Sequence, residues 1–137
     1  MKKVLFICVH NSARSQMAEA FFNHLAKGEA RAFSAGTHPA QAVDPVVVEA
    51  MREIGLDISG QRPKVLTDEM LDQADMVVIM GCGAEGLCPA AFVKTEDWDL
   101  EDPVGKPLEK VREIRDEIKS RVVGLLTQWR ENGVQHG

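Results

Sequence analysis

The chain has 137 residues, 45% of them hydrophobic and 27% charged, with a formal net charge of −5. That length suits one respectable core and is too short for two ordinary domains, so residues 1–137 are read as a single domain. The composition excludes a largely disordered chain, and the negative balance argues against a nucleic-acid binder that works through a broad basic surface.

KVLFIC, residues 3–8, has the apolar, β-rich character of a strand covered on both faces. A helix follows, with Ala18, Phe21, Phe22 and Leu25 recurring at three- and four-residue spacing. ARAFSAG, residues 30–36, reads as a second strand ending at Gly36. Asp44 and Pro45 form a cap and a first-turn proline, opening a helix that buries Val47, Ala50, Met51 and Ile54 and stops at Gly55. Thr67 can cap a short helix through Leu71. DMVVIMG, residues 75–81, is the second clear buried strand, and AAFVKT, residues 90–95, is a weaker fourth. From Leu108 a long helix carries Leu108, Val111, Ile114, Ile118, Val122, Leu125 and Trp129 on one stripe, with Glu117 and Arg121 as an i,i+4 pair. The order β-α-β-α-α-β-β-α predicts an α/β three-layer sandwich, a mostly parallel four-stranded sheet with helices on both faces.

The longest apolar runs, VLFICV and MVVIM, fall far short of the roughly 18 residues of a membrane span. The first of them ends at His10 and Asn11, without the long apolar region of a secretory signal. A cytoplasmic protein with no membrane or nucleic-acid partner is therefore expected, and no apolar surface stripe demands more than a monomer. In that reducing compartment the three cysteines, Cys8, Cys82 and Cys88, are thiols rather than structural disulfides. Each alone reads most simply as a small buried residue. Cys82 and Cys88 lack the second cysteine pair of a structural zinc site, so no metal is expected.

Cys8 reads differently because of its neighbours in CVHNSARS. It closes the first strand, and in parallel α/β sheets ligands bind beyond that edge, where the turn into a helix presents unpaired N–H groups and the positive end of the helix dipole. The loop His10, Asn11, Ser12, Ala13 would cradle an anion with its backbone, the His10 ring pointing away. Arg14 supplies a planar fork for a tetrahedral oxyanion. The same field favours a thiolate at Cys8, to which the Ser15 hydroxyl can donate while Asn11 ties the loop to itself.

C-x5-R-S between a first strand and a first helix resembles the phosphate loop of low-molecular-weight protein tyrosine phosphatases and of the arsenate reductases that share their fold. HNSARSQMAEAFF, FSAGT and EDPVGK extend the likeness over nearly the whole chain to the thioredoxin-coupled arsenate reductases. The resemblance implies a phosphotyrosine protein phosphatase I-like fold and reduction of arsenate to arsenite. Cys8 would attack arsenic, Cys82 and Cys88 would form a disulfide relay, and external reduced thioredoxin would supply electrons without a resident cofactor. Glutaredoxin and mycothiol systems stay open as the reductant.

If residues 82–88 were helical, rise alone would separate the two Cα atoms by about 9 Å, beyond the roughly 7 Å limit of a disulfide. The segment is therefore expected to refold during the cycle, helped by Gly81, Gly83 and Gly86. The resemblance places a general acid at Asp102, although Glu101 or Asp99 would suit the residues alone nearly as well. It also implies a monovalent cation near Asn11, Glu19 and Ser34 in some members, but Lys64 stands where a further aspartate would be sought, and its ammonium could fill that space. Two rivals remain. One is a phosphotyrosine phosphatase, weakened by Val104 where an aromatic wall is usual and by the absence of any tyrosine in the chain. The other is a noncatalytic oxyanion or redox sensor.

Overall fold

Side-chain alternation along the first strand divides the interior in two. Val4, Phe6 and Cys8 face one apolar cluster, and Leu5 and Ile7 face the other. The computed structural model describes residues 2–80 and 94–136. Its elements are β1 (Lys2–Cys8), α1 (Arg14–Ala26), β2 (Ala30–Gly36), α2 (Pro45–Arg52), α3 (Asp68–Gln73), β3 (Met76–Ile79), β4 (Lys94–Asp97) and α4 (Leu108–His136). The strands form one sheet in the order β2-β1-β3-β4, with every pairing parallel. The expected sandwich is the observed one. Helices α1, α2 and α4 cover the larger cluster, while Met70 and Leu71 of α3, with Leu66, close the smaller one on the opposite face.

This topology reverses direction at β1. The chain steps outward from β1 to β2, then returns to β3 on the other side, so the ends of β1 and β3 border the crevice where such sheets bind ligands. Cys8 is the last residue of β1 and pairs in register with Gly36 at the end of β2.

Local signals set most boundaries. Asp44 Oδ1 accepts from the Val46 N–H at 2.9 Å, and Pro45 takes the first position of α2, where a missing N–H costs nothing. Val47, Ala50 and Met51 are buried as expected, but Ile54 is 40% exposed. The helix ends at Arg52, and the turn into Gly55, with φ of +86°, swings Ile54 out of the stripe. Thr67 caps α3 through the Met70 N–H, and that helix continues to Gln73, past Leu71. The described part of the fourth strand includes Lys94 and Thr95, the last two residues of AAFVKT, and runs on to Asp97. Lys94–Asp97 pairs with β3 although three of its four residues are charged, because an edge strand needs only its backbone on one side and tolerates a polar exterior. The rest of AAFVKT, residues 90–93, lies outside the described residues.

The stripe on α4 is observed: Val111, Ile114, Ile118, Val122 and Leu125 are buried together with Leu126, and Leu108 and Trp129 pack at the margin. Arg121 donates to Glu117 at 3.0 Å, the anticipated helical pair. Aromatic rings join the layers. Phe6 of β1 contacts Phe22 of α1 edge-on at 6.2 Å and Trp98 at 5.7 Å, and Phe22 meets Trp129 of α4 at 5.9 Å. Such pairs contribute about 0.5–1.5 kcal/mol each beyond the area they bury. Among the described residues no helix is long and apolar enough to cross a membrane.

Glu53, just past α2, clamps that helix to α4. Arg112 donates to both its oxygens at 3.0 and 2.6 Å, and Arg115 donates to Oε1 at 3.1 Å. The Arg112 hydrogen bonds, and then its charge and those of Arg115, hold the Glu53 carboxyl below its ordinary 4.5 against the opposing effect of burial. A folded-state value below the unfolded one gives stability that is present above pH 4.5 and lost as pH falls through the folded value. Glu53→Gln should therefore lower the melting temperature at pH 7, with the deficit shrinking as the pH is taken below 4.5 and through the folded value. A deficit that stays the same across that range would show that the contact acts by packing rather than by charge.

Candidate active site

The loop between β1 and α1 is held from behind. Its carbonyls accept in succession from donors outside the loop: Cys8 O from Thr37 N at 3.4 Å, Val9 O from His38 N at 2.8 Å, His10 O from Ala40 N at 2.9 Å and Ser12 O from Asp44 N at 2.9 Å. Asn11 O accepts from Gln16 Nε2 at 3.0 Å, and Ala13 O takes the first helical bond, from Met17 N. With every carbonyl drawn outward, the N–H groups are left to the interior of the turn. Asn11 has φ of +49°, a left-handed conformation that asparagine tolerates better than most residues, and it folds the loop back on itself. No side chain caps the start of α1 at Ala13, so its first N–H groups and its dipole stay available to an anion.

Cys8 Sγ lies at the base of this turn. The Asn11 N–H points at it at 3.2 Å, and Ser15 Oγ is 2.8 Å away. Asn11 Nδ2 donates to Ser15 Oγ at 2.7 Å, which leaves the hydroxyl hydrogen free to go to sulfur. Both donors suit an anionic sulfur. Cys8 is 3% exposed, and Asn11, Ser15 and Gln16 are fully buried with every hydrogen-bonding atom engaged.

A small open pocket above the sulfur is lined by Cys8, His10, Ser12, Ala13, Arg14 and Asp102. Arg14 is 8% exposed and donates through Nη1 to Leu100 O at 3.0 Å, which orients its fork. Its other terminal nitrogen is 4.0 Å from Asp102 Oδ2. The Asp102 side chain is 46% exposed, and its Oδ1 accepts from the Val104 N–H at 3.1 Å. Among the acids weighed from sequence, Asp102 is the one that lines the pocket. Glu101 instead pairs with Lys106 and Lys110 at 3.4 Å each. Burial pushes the Glu101 carboxyl up, but Lys110 and then Lys106 outweigh it and bring it below 4.5. A carboxyl held ionised by two lysines is a poor proton donor near neutral pH. The His10 ring is exposed at the pocket lip, and its Nδ1 donates to His38 O at 3.0 Å.

The structure thus brings together Cys8, the 10–13 loop, Arg14, Ser15 and Asp102. Cys82 and Cys88, with the refolding expected of their segment and of Gly81, Gly83 and Gly86, lie outside the described residues. Sequence reasoning missed Gln16, whose Nε2 reaches Asn11 O, Asn11 Oδ1 and Arg62 O, each at 3.0 Å. It also missed the Leu100 carbonyl that aims Arg14.

The residues named for a monovalent cation do not fit a free ion. Asn11 Oδ1 already accepts from Gln16 Nε2 and from the Lys64 N–H, and the Lys64 ammonium stands 3.8 Å from Glu19 Oε1. A second cation there would face that ammonium. Among the described residues no cluster of His, Cys, Asp and Glu could hold a metal ion.

Residues 3–135 match the family described as low molecular weight phosphotyrosine protein phosphatase. The chain is 40% identical over 132 residues to a protein of Synechocystis sp. named glutaredoxin arsenate reductase, covering 93% of this chain and 98% of that one. Among solved structures, a thioredoxin-dependent arsenate reductase from Corynebacterium glutamicum superposes with a TM-score of 0.84 at 39% identity. That match covers 96% of this chain and spans 63% of the other. The YwlE arginine phosphatase from Geobacillus stearothermophilus superposes with a TM-score of 0.89 at 26% identity, covering 100% of this chain and 98% of that one.

Proposed function

Because the chain belongs to the low molecular weight phosphotyrosine protein phosphatase family, we propose that it is an arsenate reductase that uses the family's anion cradle to form a sulfur–arsenic bond. The observation that carries this reading is a thiol with two donors aimed at its sulfur, at the base of a pocket walled by a guanidinium and a carboxyl, in a chain with two further cysteines. Relatives named as arsenate reductases at about 40% identity support it.

Arsenate enters with its oxygens on the 10–14 N–H groups and the Arg14 fork. The Cys8 thiolate attacks arsenic, and an arsenate oxygen departs as water after taking a proton from Asp102. Expelling hydroxide unprotonated would be slow near neutral pH. Cys82 then attacks Cys8 Sγ as a thiolate. The sulfur–arsenic bond breaks, its electron pair stays on arsenic, and arsenite leaves as a Cys8–Cys82 disulfide forms. Attack by Cys88 on Cys82 frees the Cys8 thiolate and leaves a Cys82–Cys88 disulfide, which an external dithiol protein reduces with two electrons and two protons. Thioredoxin is the donor of this proposal, and a cytoplasmic location accords with a relay that needs reduced thiols.

The phosphatase reading draws on the shared cradle and on the arginine phosphatase likeness. Among the described residues the pocket lining holds no Phe, Tyr or Trp side chain to wall a phosphotyrosine ring; its one ring, the His10 imidazole, is turned to His38 O, and Val104 is 45% exposed. The test is arsenate-dependent NADPH oxidation with thioredoxin and its reductase, for the wild type and for Cys82→Ser. Turnover that vanishes in the variant supports the relay. NADPH consumption by neither protein would overturn the thioredoxin coupling, and glutaredoxin, aryl phosphates and ligand binding without turnover would then be tried in that order.

A further inference from the structure

Beneath the loop, one residue is tied to the Cys8 sulfur by a hydrogen-bond chain whose direction is fixed. The Lys64 backbone N–H donates to Asn11 Oδ1 at 2.8 Å. A backbone amide can only donate, so it sets the orientation of the Asn11 amide. Asn11 Nδ2 then donates to Ser15 Oγ at 2.7 Å, and Ser15 Oγ lies 2.8 Å from Cys8 Sγ. Each link passes its hydrogen toward the thiol.

The side chain of the same residue turns to a different group. Lys64 Nζ stands 3.8 Å from Glu19 Oε1, the oxygen to which the Ser34 hydroxyl donates at 2.9 Å, and it also donates to Arg62 O at 3.2 Å. The Glu19 side chain is 14% exposed and that of Lys64 38% exposed. Glu19 belongs to α1, the helix that carries Arg14 and Ser15, and Ser34 to β2. A carboxylate this withdrawn from water needs a counter-charge, and here the chain supplies one covalently.

We propose that Lys64 is a tethered counter-ion and positioning residue. Its ammonium neutralises Glu19 in place of a dissolved monovalent cation, and its anchored backbone holds the Asn11–Ser15–Cys8 chain in register. The inference concerns the reactivity of the thiol and does not depend on which oxyanion the enzyme processes.

The experiment uses full-length protein carrying Cys82→Ser and Cys88→Ser, so that Cys8 is the remaining cysteine. The alkylation rate of Cys8 by iodoacetamide is measured in potassium, sodium, ammonium and tetramethylammonium chloride at equal ionic strength. With Lys64 present the rate should be the same in all four salts. Lys64→Met should react on the order of tenfold more slowly in tetramethylammonium, and potassium or ammonium should restore the rate. Lys64→Arg should keep the wild-type rate in every salt. Adding Glu19→Gln to Lys64→Met should abolish the cation response, because no carboxylate then needs a partner. A parent protein that itself responds to potassium, or a Lys64→Met protein that folds by circular dichroism and shows no cation response, would overturn the proposal. Activity plays no part in this readout, so a failed arsenate assay leaves it intact and its own failure leaves the arsenate reading intact.

Discussion

Cys8→Ser is expected to bring arsenate-dependent turnover to background, a loss of about 10⁴-fold or more, the scale on which removing a nucleophile acts in a preformed site. Serine is smaller than cysteine by little and can keep both donors, the Asn11 N–H at 3.2 Å and the Ser15 hydroxyl at 2.8 Å. What it lacks is an accessible anion. A hydroxyl near neutral pH needs a base in contact with it, and Ser15 and Asn11 present only hydrogens to that position. An oxygen nucleophile also cannot form the disulfide that would release arsenite. The cradle itself should survive, so phosphate or arsenate should still raise the melting temperature of the variant. Residual turnover within tenfold of the wild type would remove Cys8 from the role of nucleophile.

Gly36→Ala is expected to damage both stability and catalysis, although the residue touches no substrate. A Cβ built at Gly36 would stand 2.6 Å from Val9 O and 3.0 Å from both Cβ and N of Asn11. Two of those atoms are backbone of the catalytic loop. Val9 O cannot retreat freely because His38 N binds it at 2.8 Å, and Gly36 is pinned by its own N–H on Lys64 O at 2.8 Å and its carbonyl on Leu66 N at 2.9 Å. Relief therefore comes from shifting the loop. Overpacking of this kind costs about 1–3 kcal/mol, and a displacement of roughly 1 Å at reacting groups can lower rates by about 10². Urea unfolding and kcat/KM measured on the same preparation would check both arms. Unchanged kinetics would mean that the loop absorbs the methyl without moving Cys8.

What the sequence disclosed about this molecule was local, and what it hid was not. Asp44 before Pro45 and Thr67 before α3 announce helix starts because a cap bonds an N–H two or three residues away. The loop chemistry of Cys8, Arg14 and Ser15 was legible for the same reason, since all of it lies within one turn and the start of α1. Ile54 misled because its spacing continues the stripe after the hydrogen-bonded helix has ended. AAFVKT marked β4 through Lys94 and Thr95, but its apolar character did not show that the strand runs on to Asp97, because an edge strand can also pair through charged residues. The partners of the site come from far along the chain. Leu100 O aims Arg14 from 86 residues away, and the Lys64 N–H reaches Asn11 across 53. Neither contact is made by a distinctive side-chain atom, so no residue type marks it. Gln16 is readable only in retrospect, as a fully buried amide one position beyond the motif.

The outward-turned carbonyls of the 8–13 loop bear on selectivity. A ring of N–H groups fixed before any anion arrives offers shape and charge, and arsenate and phosphate present nearly the same tetrahedron of both. Such a cradle cannot exclude the commoner ion. Under the proposed mechanism phosphate would compete with arsenate for the loop, and discrimination would pass to the step after binding. A sulfur–arsenic bond can break with its electron pair left on arsenic, whereas a sulfur–phosphorus bond yields to water instead. On the proposed arsenate mechanism the choice between the two elements would fall to the fate of the adduct, with the loop serving both.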